Sequence, residues 1–138
     1  MSSPATNLEP FYVIDTHALI WYLLKDKKLS QHAQIIFQAA EQNQTLLVIS
    51  AIVLAELYYA NVKNKWFADF TKLYDDVIAK PFVRLVSVDH THIPDFVLDA
   101  AVPEMHDRIV TGVARRLDAP LITSDPLITL AGVVTVVW

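Results

Sequence analysis

Short segments built almost wholly of hydrophobic residues alternate along this chain with longer segments of helical periodicity. Strands that are apolar throughout, rather than alternately apolar and polar, are typical of a parallel sheet covered by helices on both faces. The sequence therefore predicts an α/β fold, a single three-layer α/β/α domain with a mostly parallel five-stranded sheet. The predicted strands are residues 11–14, 46–49, 83–88, 121–122 and 133–137, and the intervening helices end near residues 24, 43, 62, 78, 101 and 117.

Local signals mark where several of these helices begin. Ser30 and Ser50 each precede a helical segment and are predicted N-caps, because a serine hydroxyl can accept a backbone N–H of the first turn. Asp125 followed by Pro126 is a favoured pair for the cap and the first helical position. The clearest amphipathic helix is predicted over residues 66–78, where large apolar side chains recur at helical spacing.

The length of 138 residues corresponds to one domain. Residues 1–10 are predicted to form a flexible N-terminal tail, which leaves residues 11–138 as the folded domain. The most apolar long stretch, residues 46–60, is interrupted by Ser50 and Glu56 and is shorter than a membrane-spanning helix. We therefore expect no membrane association.

Two rare residue types exclude several kinds of site. The chain has two glycines, Gly112 and Gly132, which are too few and too far apart for a phosphate-cradling loop, so no nucleotide cofactor is expected. It has no cysteine, which excludes a thiol nucleophile, a disulfide framework and a cysteine-ligated zinc. The lack of cysteine fits a protein of the reducing cytoplasm.

Composition also bears on partners. Hydrophobic residues make up 54% of the chain and charged residues 19%, against about 45–50% and about 25% in typical soluble domains. Apolar surface in excess of what a core needs predicts a partner protein or a homodimer. The net charge of −4 argues against a broad basic surface for nucleic acid, although it leaves room for a local basic patch.

Four acidic residues lie at places where a parallel sheet would bring them to one edge, and three of them, Asp15, Glu56 and Asp125, stand apart from other charges. Asp15 and Asp125 follow predicted strands, Glu56 lies two turns into the helix after a strand, and Asp107 opens a helix. With right-handed crossovers these places lie on the same rim of the sheet. Helix capping is an alternative role for Asp15 and Asp125, and complementing the helix dipole is one for Asp107.

Glu56 lacks such a simple explanation. The residues one turn away on either side of it are Ile52, Val53, Tyr59 and Ala60, so its side chain is expected on a mainly apolar face. A carboxylate buried there costs several kcal/mol unless it is paired or binds a metal. The nearest cation of its own helix, Lys63, is seven residues away.

Four converging carboxylates would repel one another, and some would stay protonated at neutral pH unless a cation were bound. Mg²⁺ or Mn²⁺ accepts such oxygen ligands and retains water for hydrolysis. We therefore predict that Asp15, Glu56, Asp107 and Asp125 form a catalytic metal site, with one ion or two left open.

Four sequence segments and the C-terminus carry a family resemblance. They are YVIDTHALIW (residues 12–21), ISAIVLAEL (49–57), PEMHDRIV (103–110), APLITSD (119–125) and the final VVW (136–138). In this order and spacing they resemble a PIN-domain nuclease of the kind that serves as the VapC toxin of bacterial toxin–antitoxin pairs. The resemblance covers about residues 11–138.

The resemblance implies a five-stranded parallel sheet and divalent-metal-dependent hydrolysis of RNA, with Asp15, Glu56, Asp107 and Asp125 as the acidic site. It places Thr16 and Thr123 where the family often has a hydroxyl near the metal, although ordinary helix-start and strand-end roles remain open for both. It also implies a homodimer and an antitoxin protein that blocks the site.

We predict that Lys63 and Arg108, which are near the acidic residues in sequence, neutralise RNA phosphates. Two other functions remain open on the sequence alone. One is a catalytically silent PIN-like module that binds a partner or dimerises, and the other is a structure-specific DNase.

Overall fold

The computed structural model describes residues 7–138. It contains one five-stranded sheet in the order β3-β2-β1-β4-β5, and all four strand pairs are parallel. The predicted α/β class with a five-stranded parallel sheet is therefore confirmed. The strands are β1 (Phe11–Ile14), β2 (Leu46–Ser50), β3 (Val83–Val86), β4 (Leu121–Ile122) and β5 (Val136–Val137). The helices are α1 (Thr16–Leu24), α2 (Gln31–Glu41), α3 (Ala51–Asn64), α4 (Phe70–Ile78), a 3₁₀ helix (His90–Val97), α5 (Met105–Leu117) and α6 (Pro126–Ala131).

The central strands are buried on both faces. In β1 the consecutive residues Tyr12, Val13 and Ile14 are all buried, as are both residues of β4. Because successive side chains of a strand point to opposite faces, this burial requires cover on each side of the sheet. The core therefore lies above and below β1, β2 and β4, whereas the edge strand β3 exposes Arg84 and Leu85.

Two predicted helix caps have different outcomes. Ser30 accepts the backbone N–H of Ala33 at 3.1 Å and caps α2, as predicted. Ser50 occupies the cap position of α3 with an extended backbone, yet its side chain makes no capping hydrogen bond. The buried Ser50 hydroxyl has no partner among the described residues. The capping role predicted for Ser50 is therefore wrong, although α3 does begin after it.

The amphipathic helix is shorter than predicted. It begins at Phe70 rather than at residue 66, because Asn61 of α3 holds the preceding segment in another conformation. The Asn61 Nδ2 donates to the carbonyl of Phe67, and the Phe67 N–H donates to Asn61 Oδ1, both at 2.9 Å. Asp69 then supplies the helix cap. The side-chain amide thus satisfies backbone groups that a longer helix would have paired.

Three other boundaries differ from the prediction. The strand predicted to reach residue 88 ends at Val86, and the segment near residues 92–101 is a 3₁₀ helix that starts at His90. That helix starts early because Asp89 and the His92 ring form a reciprocal capping box. The last strand is only Val136–Val137, since Gly132 ends α6 in a left-handed conformation and the chain reaches β4 four residues later.

The predicted tail lies partly within the described residues. Leu8 packs against the core, the Glu9 N–H donates to the Tyr12 hydroxyl at 3.0 Å, and the Glu9 carbonyl accepts from Thr45 at 2.7 Å. Residues 8–10 therefore lie against the domain, whereas residues 1–6 lie outside the described part of the chain. Between residues 7 and 138, no helix is both long and apolar enough to cross a membrane.

Candidate functional site

The first part of the site is formed where two neighbouring strands end. Ile14 of β1 pairs with Ile122 of β4, so Asp15 and Thr123 follow at the same edge of the sheet. The Thr123 hydroxyl hydrogen-bonds to the Asp15 carboxylate and accepts the backbone N–H of Asp125 at 3.0 Å. The buried Thr123 therefore joins two of the predicted acidic residues.

The two aspartates also cap helices, as the alternative interpretation predicted. Asp15 Oδ1 accepts the N–H of Ala18 at 2.9 Å, and Asp125 Oδ1 accepts the N–H of Leu127 at 2.8 Å. Each capping bond occupies one oxygen of its carboxylate. Capping and ligand binding are therefore compatible here, because a carboxylate has a second oxygen.

Glu56 is less buried than the sequence suggests. Its side chain is 33% exposed. Thr16 Oγ1 donates to Glu56 Oε1 at 2.6 Å, and the His106 ring lies 3.4 Å from Glu56 Oε2. Glu56 is therefore half-buried rather than fully buried, and α1 and α5 supply the partners that the sequence near Glu56 does not contain.

The start of α5 adds two residues, Glu104 and His106, that were not predicted to belong to the site. Glu104 caps α5 by accepting the Asp107 N–H at 2.9 Å, and its other carboxylate oxygen lies 3.0 Å from His106 Nδ1. His106 therefore stands between Glu104 and Glu56. The sequence signal for Glu104 was an acid three residues before Asp107, at a helix start.

Electrostatic repulsion is concentrated at Asp107. Burial, together with the charges of Asp125, Glu104 and Glu56 and a hydrogen bond with Asp125, raises the pKa of Asp107 to about 7. Burial also raises the pKa of Asp15, although hydrogen bonds from Thr123 and Ala18 partly oppose that shift. Carboxylates are thus crowded enough here for one of them to hold a proton near neutral pH.

All four predicted acidic residues lie near one another, linked through Asp125 and Asp107. Asp15 contacts Thr123, Asp125 contacts both Thr123 and Asp107, and Glu56 contributes to the field at Asp107. Between residues 7 and 138, however, no three His, Asp or Glu side chains are arranged so that they could hold a metal ion as they stand.

The chemistry of these donors nevertheless fits a hard divalent cation. All are oxygen ligands, and the groups that raise the pKa of Asp107 beyond burial are all carboxylates. A bound cation would remove this repulsion.

The two predicted phosphate-binding cations differ in their surroundings. The Arg108 guanidinium donates to the carbonyls of Val102 and of Ala100, the latter at 3.2 Å, and so braces the loop before α5. Lys63 is exposed in the last turn of α3. In this conformation Lys63 is available to a ligand, whereas Arg108 is engaged with the backbone.

The pKa of Asp107 predicts how the metal-free protein responds to pH. In the unfolded chain this carboxyl titrates near its ordinary value of 3.8, whereas in the folded protein it titrates near 7. Between these values the folded state holds a proton that the unfolded state has lost, so the free energy of unfolding falls as pH rises. In EDTA, the melting temperature of the wild type should therefore fall more between pH 5 and pH 8 than that of Asp107→Asn. Parallel melting curves for the two proteins would contradict this assignment.

Comparisons with known proteins agree with this architecture. The PIN domain family model matches residues 12–129. A chain in the crystal structure of VapBC2 from Rickettsia felis bound to a promoter DNA fragment is 16% identical, with a TM-score of 0.70, covering 93% of this chain and 98% of that one. A chain of FitAB bound to the IR36 DNA fragment is 15% identical, with a TM-score of 0.63, covering 91% of this chain and 93% of that one.

A third similar structure is FitAcB from Neisseria gonorrhoeae, at 16% identity and a TM-score of 0.63, covering 91% of this chain and 95% of that one. No curated protein sequence is similar enough to count as a match. At these identities the structural similarities concern the fold, whereas the family match spans most of the chain. Together with the five-stranded parallel sheet and the acidic rim, it shows that this chain belongs to the PIN domain family.

Proposed function

We propose that this protein is an endoribonuclease that depends on Mg²⁺ or Mn²⁺, and that it is the toxin of a toxin–antitoxin pair. The observation that carries the proposal is the crowding of carboxylates around the start of α5. There Glu104 and Glu56 lie 3.0 Å and 3.4 Å from His106, and burial together with the charges of Asp125, Glu104 and Glu56 raises the pKa of Asp107. Such crowding destabilises the ion-free folded protein, and it is typical of binding and catalytic sites. Membership of the PIN family supports nuclease activity, and the VapBC2 and FitAB structures support the toxin assignment.

The residues divide into those that would hold the ion and those that orient them. Asp15, Asp107 and Asp125 would supply carboxylate oxygens, with Glu56 acting directly or through water. Thr123 orients Asp15, and Thr16 orients Glu56 through its 2.6 Å hydrogen bond. A bound Mg²⁺ or Mn²⁺ supplies a Lewis acid for the phosphodiester and lowers the pKa of the attacking water.

The protonation state of Asp107 should make ion binding at the site depend on pH. In the ion-free protein this carboxyl can retain a proton near pH 7, which relieves repulsion from Asp125. Asp107 would have to lose this proton to hold an ion, so ion binding should weaken as pH falls below about 7. RNA hydrolysis is accordingly expected to decline on acidification.

Exposed apolar side chains support the proposal that this protein binds partner proteins. Val97 and Leu98 are exposed at the end of the 3₁₀ helix, and Leu127 and Leu130 are exposed on α6. Surfaces of this kind favour association. We propose a homodimer and an antitoxin partner, in the cytoplasm, where RNA substrates occur.

The test combines cleavage with thermal melting. Single-stranded RNA, single-stranded DNA and flapped duplex DNA are incubated with the full chain in MgCl₂, MnCl₂ or EDTA. We expect RNA cleavage in the two metal salts and none in EDTA. MnCl₂ at 100 times its Kd should add about 2.7 kcal/mol to the free energy of unfolding, raising Tm by roughly 10 °C.

Each alternative function gives a different result. Neither cleavage nor a Tm shift would indicate a catalytically silent module, and preferential cleavage of flapped DNA would indicate a structure-specific DNase. Asp15→Asn provides a matched control for the Tm shift, because asparagine can still cap α1 but carries no charge. That variant should melt normally in EDTA and respond little to MnCl₂.

A further inference from the structure

One helix face extends the acidic site towards exposed aromatic and basic side chains. Along α3, Tyr59 follows Glu56 by three residues and Lys63 follows it by seven, so all three lie along one side of the helix. The helical rise places Tyr59 about 4.5 Å and Lys63 about 10 Å beyond Glu56 along the axis. We call Glu56, Tyr59 and Lys63 the α3 ridge.

Tyr59 is exposed yet supported from behind. It is 70% exposed, and its ring lies edge-on to that of Tyr58, with centroids 5.1 Å apart and planes at 82°. Tyr58 in turn contacts Phe70 of α4 edge-on at 5.2 Å. This row of rings limits the orientations of Tyr59 without covering it. An aromatic ring held in this way on the surface is suited to stacking.

The charges around Tyr59 favour stacking of a nucleic-acid base on its ring over a purely ionic contact with phosphates. The chain carries a net charge of −4, and the site beside Tyr59 is acidic, so the phosphates of a nucleic acid are repelled there. Stacking of a base on an aromatic ring requires no positive charge, and Lys63 and Lys65 at the end of α3 are exposed to phosphates farther along. Ring and lysines together can offset the repulsion.

We infer that Tyr59 is a substrate-binding residue that stacks on an unpaired RNA base next to the scissile phosphate, while Lys63 contacts the backbone beyond it. The inference rests on the proposed ribonuclease function and specifies its substrate as single-stranded. A stacked strand rises about 3.4 Å per nucleotide, so the α3 ridge spans about three nucleotides. A paired base has no free face for Tyr59, so duplex RNA should gain nothing from the ring.

Binding is tested in EDTA with a fluorescent single-stranded RNA of 12 nucleotides and full-length protein. Tyr59→Ala should raise the Kd roughly five- to hundredfold, in keeping with the loss of one stacked base. Tyr59→Phe should bind within about twofold of the wild type because it keeps the ring. Lys63→Ala should reduce the slope of log K against log salt by about one unit, whereas Tyr59→Ala should leave the slope unchanged. The matched control is Ile35→Ala, which removes an exposed apolar side chain from α2 and should have no effect.

Other results would overturn the inference. It fails if Tyr59→Ala binds single-stranded RNA as the wild type does, or weakens duplex RNA equally. It also fails if Tyr59→Ala changes the oligomeric state in size-exclusion chromatography, since the ring would then belong to a protein interface. Cleavage in MnCl₂ separates this result from the proposed function. Wild-type cleavage with an unchanged KM in Tyr59→Ala refutes only the ring contact, and ring-dependent binding without cleavage refutes only the nuclease.

Discussion

Replacing Asp107 with asparagine should abolish RNA cleavage in MgCl₂ and MnCl₂ while the protein stays folded. The carboxylate of Asp107 is the one on which the charges of Asp125, Glu104 and Glu56 converge. Asparagine has nearly the same shape but cannot carry the negative charge that a divalent ion requires. We expect the cleavage rate to fall by about 10²–10⁴-fold, as is usual when a group central to proton or charge handling is removed. The rate is measured under single-turnover conditions, with melting in EDTA as the folding check.

The matched control is Asp118→Asn at the other end of α5. Asp118 is exposed and ends the helix in a left-handed conformation, which asparagine also adopts readily. This variant should cleave as the wild type does. In EDTA at pH 8, Asp107→Asn should melt at or above the wild-type temperature, since it removes a repelled charge. Undiminished metal-dependent cleavage by Asp107→Asn would show that the acidic rim is not the active site.

Replacing Arg115 with alanine should cost about 3 kcal/mol of stability, because removal of one partner leaves a buried charge unpaired. The unpaired group is Asp99, whose side chain is fully buried beyond the 3₁₀ helix. Arg115 donates to it in a bidentate arrangement, Nε to Oδ1 at 3.0 Å and Nη2 to Oδ2 at 2.7 Å. Gly112 leaves the space for this approach, since a Cβ there would lie 3.2 Å from Asp99 Oδ2. Melting should show a fall in Tm of roughly 10 °C.

A surface ion pair serves as the control for Arg115. Lys72 and Asp76 of α4 form an ion pair at 3.2 Å, with their side chains 72% and 62% exposed, so Lys72→Ala should change stability by less than about 1 kcal/mol. The double variant Arg115→Ala with Asp99→Asn should lose less stability than Arg115→Ala alone, because the buried charge is gone. Equal losses in the single and double variants would mean that Arg115 acts through packing instead of charge.

Much of the fold follows from patterns local in the sequence. The buried strands were recognisable from continuous apolar segments, and Ser30 from its place before a helical segment. The boundaries that differ depend on side chains that compete for backbone groups. The Asn61 side chain hydrogen-bonds to the backbone of Phe67, so that α4 begins later than predicted. His92 completes a capping box, so that the 3₁₀ helix begins earlier than predicted.

The site shows the same division. Four acids, at two strand ends, at a helix start and two turns into a helix, could be named from the sequence, because a parallel sheet brings such positions to one edge. Their partners could not. The contact from Thr16 to Glu56 spans 40 residues of chain, and the link from Glu56 to His106 joins α3 to α5. Glu104 gives no distinct signal in the sequence, because an exposed acid at a helix start has an ordinary role as a cap.

The sequence by itself determined the α/β class, the parallel sheet and the rim to which the acids belong. The physical reason is that hydrophobic periodicity is local in the sequence, and the order of strands and helices can be read directly along the chain. Only the tertiary structure decided that Glu56 is paired and partly exposed, that Ser50 leaves its hydroxyl unbonded, and that the pKa of Asp107 rises to about 7. The physical reason is that hydrogen bonding and charge repulsion depend on distances of a few ångströms between side chains. Those distances are set by how separate helices pack on the sheet, which no local pattern in the sequence encodes.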